Sequence, residues 1–176
     1  MEEKTKAPFW KTALIYGAIV GFVGILVGVI FYVMDMTAEN WTNWVSMLIS
    51  LIILVYCLVT YRKDHLGGYA SFGQIYKMTL VIGIIATVLG LLYFYILVTL
   101  DPEVLEKMKI VAEQRILDNP RIPEGYLDTA LERVEKSMQI GRMMVMQLIF
   151  GPVMYAIIGL VLAAFIKKNN PADKIA

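Results

Sequence analysis

Four long apolar stretches free of Asp, Glu, Lys, Arg and His dominate this chain: Thr12–Met34, Trp44–Tyr61, Met78–Leu100 and Met143–Ile166. A helix needs about 20 apolar residues to cross roughly 30 Å of hydrocarbon, so each stretch can span a bilayer. In lipid the backbone must satisfy its own hydrogen bonds, which makes helices the economical solution. Charged residues are only 18 % of the 176 residues, against roughly 25 % in an ordinary soluble domain. The expected fold is therefore an all-α membrane protein with four transmembrane helices in one domain over residues 12–166. Short tails at 1–11 and 167–176 flank it. No room is left for a large soluble catalytic domain.

The net charge of +1 says little, but its distribution is informative. The N-terminal tail, the stretch from Arg62 to Lys77 and the C-terminal tail together hold nine bases and four acids. The loops Asp35–Asn43 and Asp101–Arg142 hold seven bases and eleven acids. Positive charge near span ends stays cytoplasmic, so both termini are expected inside a bacterial inner membrane. Phe9 and Trp10, Trp41 and Trp44, and Tyr93, Phe94 and Tyr95 are placed to act as interfacial anchors. The first stretch is too long for a signal h-region and ends without an Ala-x-Ala-like site, so a retained span is expected.

Along the chain, Gly17, Gly21, Gly24 and Gly28 give two small-xxx-small patterns in the first span. Such glycines let helix backbones approach closely in lipid. They fit either an interface with another chain or packing within the bundle, and internal packing is the favoured reading. Gly67-Gly68 marks a turn, and Ser71 suits the N-cap of the third helix. Asp101-Pro102-Glu103 looks like the start of a new helix. Apolar stripes at 104, 105, 108, 111, 112 and 116, and at 127, 130, 131, 134, 138 and 141, flank the break Asn119–Pro123. They predict an extracytoplasmic helical hairpin over 102–142, held by mutual burial, whose second helix runs straight into the last span. Gly151-Pro152 should kink that span or mark a contact. No inverted repeat is visible.

The stretch Ser71-Phe72-Gly73-Gln74 after a basic inner loop, and Asp101-Pro102-Glu103 after the third span, resemble a family of small bacterial membrane proteins. It is the domain-of-unknown-function family numbered forty-one ninety-nine, found largely in the Bacteroidota. The resemblance covers about residues 10–168. It implies a four-helix inner-membrane topology and brings no activity or catalytic residue with it.

Chemistry-bearing groups are sparse. His65 beside Asp64 reads as a solvated loop pair, since no nucleophile or second base accompanies it. Cys57 falls inside a span and behaves as a small apolar residue. Met138, Met143, Met144, Met146 and Met154 could offer soft ligands to Cu(I), but core filling accounts for them better. The acids of 101–142 interleave with bases at helical spacing, as in Glu103/Lys107 and Glu132/Lys136. Ser46 and Ser50 share a face, where each can bond its own backbone or a neighbouring helix; Gln147 and Thr87 are the most notable mid-span polar groups, and a helix–helix hydrogen bond accounts for both. Ion-coupled carriers and pumps usually place ionisable residues in their spans, and this chain does not.

No cofactor, metal or catalytic residue is therefore expected, nor a nucleic-acid partner. The expected partners are the lipid bilayer and a second copy or another membrane protein. The leading expectation is a non-enzymatic interaction or accessory protein. A small-solute or lipid transporter, or a channel subunit, is the competing class.

Overall fold

The computed structural model describes residues 9–37 and 39–168, with Asn40 through its backbone alone. Six α-helices follow one another in it: α1 Phe9–Val33, α2 Asn40–Thr60, α3 Phe72–Leu100, α4 Glu103–Leu117, α5 Leu127–Ser137 and α6 Ile140–Ile166. A π turn at Tyr61–His65 extends α2, and a 3₁₀ turn at Glu124–Tyr126 leads into α5. Among the described residues no strand forms; one antiparallel bridge joins Ala70 and Lys168. The helices α1, α2, α3 and α6 are long and apolar enough to cross a membrane. The ends of the expected tails, 1–8 and 169–176, lie outside the described residues.

Helix α3 is the central post. It packs extensively against α1 on one side and α6 on the other, while α2 meets α6 only sparsely. The glycines explain the close approach. A Cβ on Gly17 would sit 2.7 Å from Ile85 Cβ, and one on Gly21 would sit 2.6 Å from Leu89 Cδ1. A Cβ on Gly28 would meet Tyr93 Cε1 at 2.9 Å. From α6, a Cβ on Gly151 would lie 2.6 Å from Thr87 Oγ1. Internal packing thus accounts for Gly17, Gly21 and Gly28. Gly24 differs, because a Cβ there meets nothing within 4 Å.

Helix α2 carries no glycine. Trp41 at its start packs edge-on against Phe31 of α1, while its second half joins the core, where Leu54, Cys57 and Leu58 are buried together with Ile75, Met78, Ile82 and Ala163. That end is stitched as well as packed. Arg62 Nη1 donates to the Ile166 carbonyl at 2.8 Å, satisfying an orphan acceptor at the C-terminus of α6. Ala70 and Lys168 exchange two backbone bonds of 2.9 Å. Gly67 and Gly68 turn the chain with φ of +65° and +89°, a region open to glycine. His65 is not the solvated residue expected. It ends the π turn half-buried, with ring contacts to Tyr16 and Tyr61.

Both motif stretches open helices. Ser71 and Gln74 form a capping box: the Ser71 N–H donates to Gln74 Oε1 at 2.8 Å, and the Gln74 N–H donates to Ser71 Oγ at 3.3 Å. Gly73 has open space around it, and Phe72 stacks on Tyr76 one turn on. Asp101 caps the start of α4, accepting from the Glu103 N–H at 3.1 Å through Oδ1. Its other oxygen, Oδ2, accepts from Tyr32 Oη at 2.9 Å. Pro102 sits in helical geometry at the first turn, where a missing N–H costs nothing. The end of α1 is a Schellman-type stop with Asp35 at φ 57°, the Asp35 N–H bonded to Tyr32 O and the Met36 N–H to Phe31 O.

The α4–α5 region departs from expectation in three ways. The second helix does not run into the last span: α5 stops at Met138, and Gln139, with ψ of 128°, restarts the chain as α6. Mutual burial is slight, with Val104 the one buried residue of α4 and none buried in α5. Lys107 does not take Glu103 as its partner but bonds Asp35 Oδ1 at 2.6 Å. That bond, and then the Asp35 charge, raise the Lys107 pKa. The Glu132–Lys136 pair forms as expected at 2.6 Å, and the bond from Lys136 lowers the Glu132 pKa. Lys109 reaches Glu113 and Glu135 at 3.8 and 3.7 Å, so it links α4 to α5.

The glycine contacts predict opposite outcomes for two substitutions in α1. Gly21→Ala should lower thermal stability in detergent, since overpacking costs about 1–3 kcal/mol. Gly24→Ala should leave it unchanged or raise it, because Ala outranks Gly in a helix by about 1 kcal/mol.

Candidate functional site

Because α2 stands off in its first half, the four long helices enclose a hollow of about 430 Å³ at the α4–α5 end of the bundle. Helix α1 borders it with Gly21 and Gly24, and α3 with Thr87, Gly90 and Tyr93. Helix α2 contributes Asn43, Ser46 and Ser50, and α6 contributes Gln147, Gly151 and Tyr155. The size falls within the range typical of small-molecule sites, about 300–1,000 Å³. Its open centre is where Gly24 faces, which is why a Cβ there meets nothing.

The lining mixes apolar walls (Val20, Ile25, Ala86 and Phe94) with uncharged polar groups. Every helix but α1 supplies a hydroxyl or an amide, and no Asp, Glu, Lys, Arg or His borders the hollow among the described residues. These groups are not used up by the protein. Thr87 is 7 % exposed and makes no side-chain hydrogen bond among the described residues. The Tyr93 hydroxyl is fully buried and has no partner. Ser46, Ser50 and Gln147 likewise bond to none of the described residues. The expectation of a helix–helix hydrogen bond for Thr87 and Gln147, and of backbone or helix–helix bonds for the two serines, therefore gives way. These residues converge on a cavity instead. Tyr93 also departs from its expected role as an interfacial anchor, packing over Gly28 and bordering the hollow. Tyr95, by contrast, is exposed.

The Tyr93 hydroxyl is the one polar atom of the lining that is both fully buried and without a partner among the described residues. A buried hydroxyl without a partner is destabilising by about 1–3 kcal/mol, and hydrocarbon offers no water to relieve it. Elsewhere in the bundle polar groups are satisfied locally: Thr79 Oγ1 donates to the Ile75 carbonyl at 2.9 Å and Thr99 Oγ1 to the Tyr95 carbonyl at 2.7 Å. The same economy is open to Thr87, Ser46 and Ser50, and none of them uses it. Pro152, inside α6, has no N–H to give the Leu148 carbonyl one turn back.

The residues singled out by sequence pattern divide accordingly. Gly21 and Gly24 border the hollow, whereas Gly17 and Gly28 serve helix contact. Ser71, Phe72, Gly73 and Gln74 lie at the opposite end of the bundle, at the start of α3. Asp101, Pro102 and Glu103 join α3 to α4. Neither motif touches the hollow. Its polar wall was within reach of the sequence only as four inconspicuous residues on three helices.

Over residues 15–168 the chain matches the family model described as Protein of unknown function (DUF4199). The chain belongs to this family. No curated protein and no solved structure matches it. Membership in DUF4199 accords with the resemblance seen in the two motifs, and the structure gives each motif a physical role as a helix start.

Thr87→Val tests whether the hydroxyls are kept for a ligand. With its unpaired donor removed, the delipidated protein should gain about 1 kcal/mol of stability or stay level, as apolar replacement of an unsatisfied group predicts. A loss of more than 2 kcal/mol on thermal unfolding would show that the hydroxyl is already satisfied within the fold.

Proposed function

We propose that this chain is a non-enzymatic, multi-pass inner-membrane protein that binds a small uncharged polar molecule, or the headgroup of a lipid, in the hollow between α1, α2, α3 and α6. The observation that carries this reading is the gathering on one cavity of Ser46, Ser50, Thr87 and Gln147, whose side chains bond to none of the described residues. A partly satisfied polar cluster is worse for stability than an apolar one; a bound molecule that completes its hydrogen bonds removes that deficit. This favours the solute- or lipid-binding class over a purely accessory role, which had ranked first on sequence alone.

The absence of charge in the lining supports a ligand that carries none, since a desolvated ion needs a counter-charge. Nor does the lining offer the acid–base pair or activated nucleophile that chemistry would need. The accessory reading retains one support: Ile110, Leu117 and Tyr126 are well exposed on and beside α4 and α5.

Native mass spectrometry of the full chain released from mild detergent separates the two. The binding reading expects an adduct of constant mass on the wild type, absent from Gly24→Leu, whose side chain starts into the open centre from a Cβ that meets nothing within 4 Å. No adduct on either protein, together with a protein partner crosslinked at fixed stoichiometry through 110–126, would reverse the ranking.

The proposed orientation places both termini and the Arg62–Lys77 stretch in the cytoplasm, with α4–α5 and the mouth of the hollow outside. The charge distribution supports it. Single cysteines at positions 40, 66, 120 and 172 in a Cys57→Ala background should label from outside at 40 and 120 only. Labelling at 66 or 172 from outside would invert the assignment.

A further inference from the structure

The hollow does not end inside the bundle. Ser46, Ser50 and Tyr155 also border a second space of about 300 Å³, whose remaining walls are aliphatic or thioether, among them Leu51, Leu54, Met154 and Ile158. This space follows the seam between α2 and α6, the pair of spanning helices that meet so sparsely. Met47 and Met154 are 39 % and 46 % exposed along it, so the seam faces the surrounding bilayer. A mixed compartment and an apolar one are thus neighbours that share three residues.

That shape selects its occupant. A small soluble solute would use the mixed compartment and leave the apolar seam without a purpose. An all-hydrocarbon molecule would leave Thr87 and Tyr93 unpaired. A phospholipid headgroup would bring a phosphate among hydroxyls and amides with no cation beside it, and burying a charge so is costly. An uncharged headgroup with hydroxyls can both donate and accept, which matches a lining of hydroxyls and amides that also do both.

We propose that the site takes a neutral acylglycerol-type lipid, which enters sideways from the bilayer through the α2–α6 seam, with its hydroxyl headgroup among Ser46, Ser50, Thr87 and Gln147 and its acyl chain along Leu51, Leu54 and Met154. This rests on the binding reading above and adds the ligand class and the route. Flexible thioethers suit a chain that must slide in and out, because Met adapts its shape at little cost.

The test uses the full chain in detergent with four probes: 1-monooleoylglycerol carrying a diazirine on its acyl chain, the lyso-phosphatidic acid and lyso-phosphatidylcholine of the same chain, and glycerol. Monooleoylglycerol should bind at least tenfold tighter than either phosphate-bearing probe, and its diazirine should label peptides of residues 47–54 and 154–158. Met154→Trp obstructs the seam at an exposed position, where the fold tolerates bulk. It should weaken monooleoylglycerol at least tenfold and leave the melting temperature within a few degrees. Equal affinity for the phosphate-bearing probes would overturn the neutral headgroup. Glycerol binding as tightly as monooleoylglycerol, unaffected by Met154→Trp, would overturn the lipid assignment and leave a cavity that binds solutes. A co-purifying molecule lost from Gly24→Leu but not displaced by monooleoylglycerol would likewise refute the ligand class alone. Failure of every probe, with no adduct on the wild type, would remove both this inference and the reading beneath it.

Discussion

In hydrocarbon, helices gain nothing by hiding apolar surface from water, so what holds them is how closely their backbones can approach. Every other feature of this molecule follows from where that approach is possible. Gly17, Gly21 and Gly28 of α1 admit the side chains of Ile85, Leu89 and Tyr93, and Gly151 and Gly159 of α6 admit Thr87, Thr79 and Tyr76. In each case α3 is the partner. Helix α2 has no glycine to offer and packs by side-chain bulk instead. It closes where Leu54 and Leu58 reach the core, and it stands away where Ser46 and Ser50 face inward. The hollow lies where α2 meets α3 and α6 only sparsely.

The connections hold this arrangement in place. At one end, Arg62 secures the last carbonyl of α6 and Ala70 pairs with Lys168, so the α2–α3 connection and the end of the bundle are a single unit. At the other end, Asp101 serves two masters: one oxygen starts α4 and the other receives Tyr32 from the top of α1. Asp35, turned into the left-handed region at the end of α1, takes Lys107 from the second turn of α4. These are exposed ion pairs and hydrogen bonds, each worth little alone. Their effect is to fix where α4 lies over the mouth of the bundle.

Much of this was legible in the sequence, and the reason is locality. Span lengths follow from uninterrupted hydropathy; the Ser71–Gln74 box and the Asp101 cap follow from residues three apart or fewer; Glu132 finds Lys136 one turn away. Errors began where a partner lay far along the chain. Lys107 chose Asp35 over its helical neighbour Glu103, and His65 found Tyr16 across the bundle. The break at Met138–Gln139 carries neither Gly nor Pro to announce it. The polar wall was hidden for the same reason. Ser46, Ser50, Thr87 and Gln147 are ordinary residues for a membrane helix one at a time, and only the packing brings them to one place.

The closed core over Leu54, Leu58, Ile75, Met78 and Ile82 gives the molecule a floor. The hollow lies on the α4–α5 side of that core and does not continue through it. Those five side chains are each at most 1 % exposed, so the way from the hollow to the other end of the bundle runs through closely packed side chains.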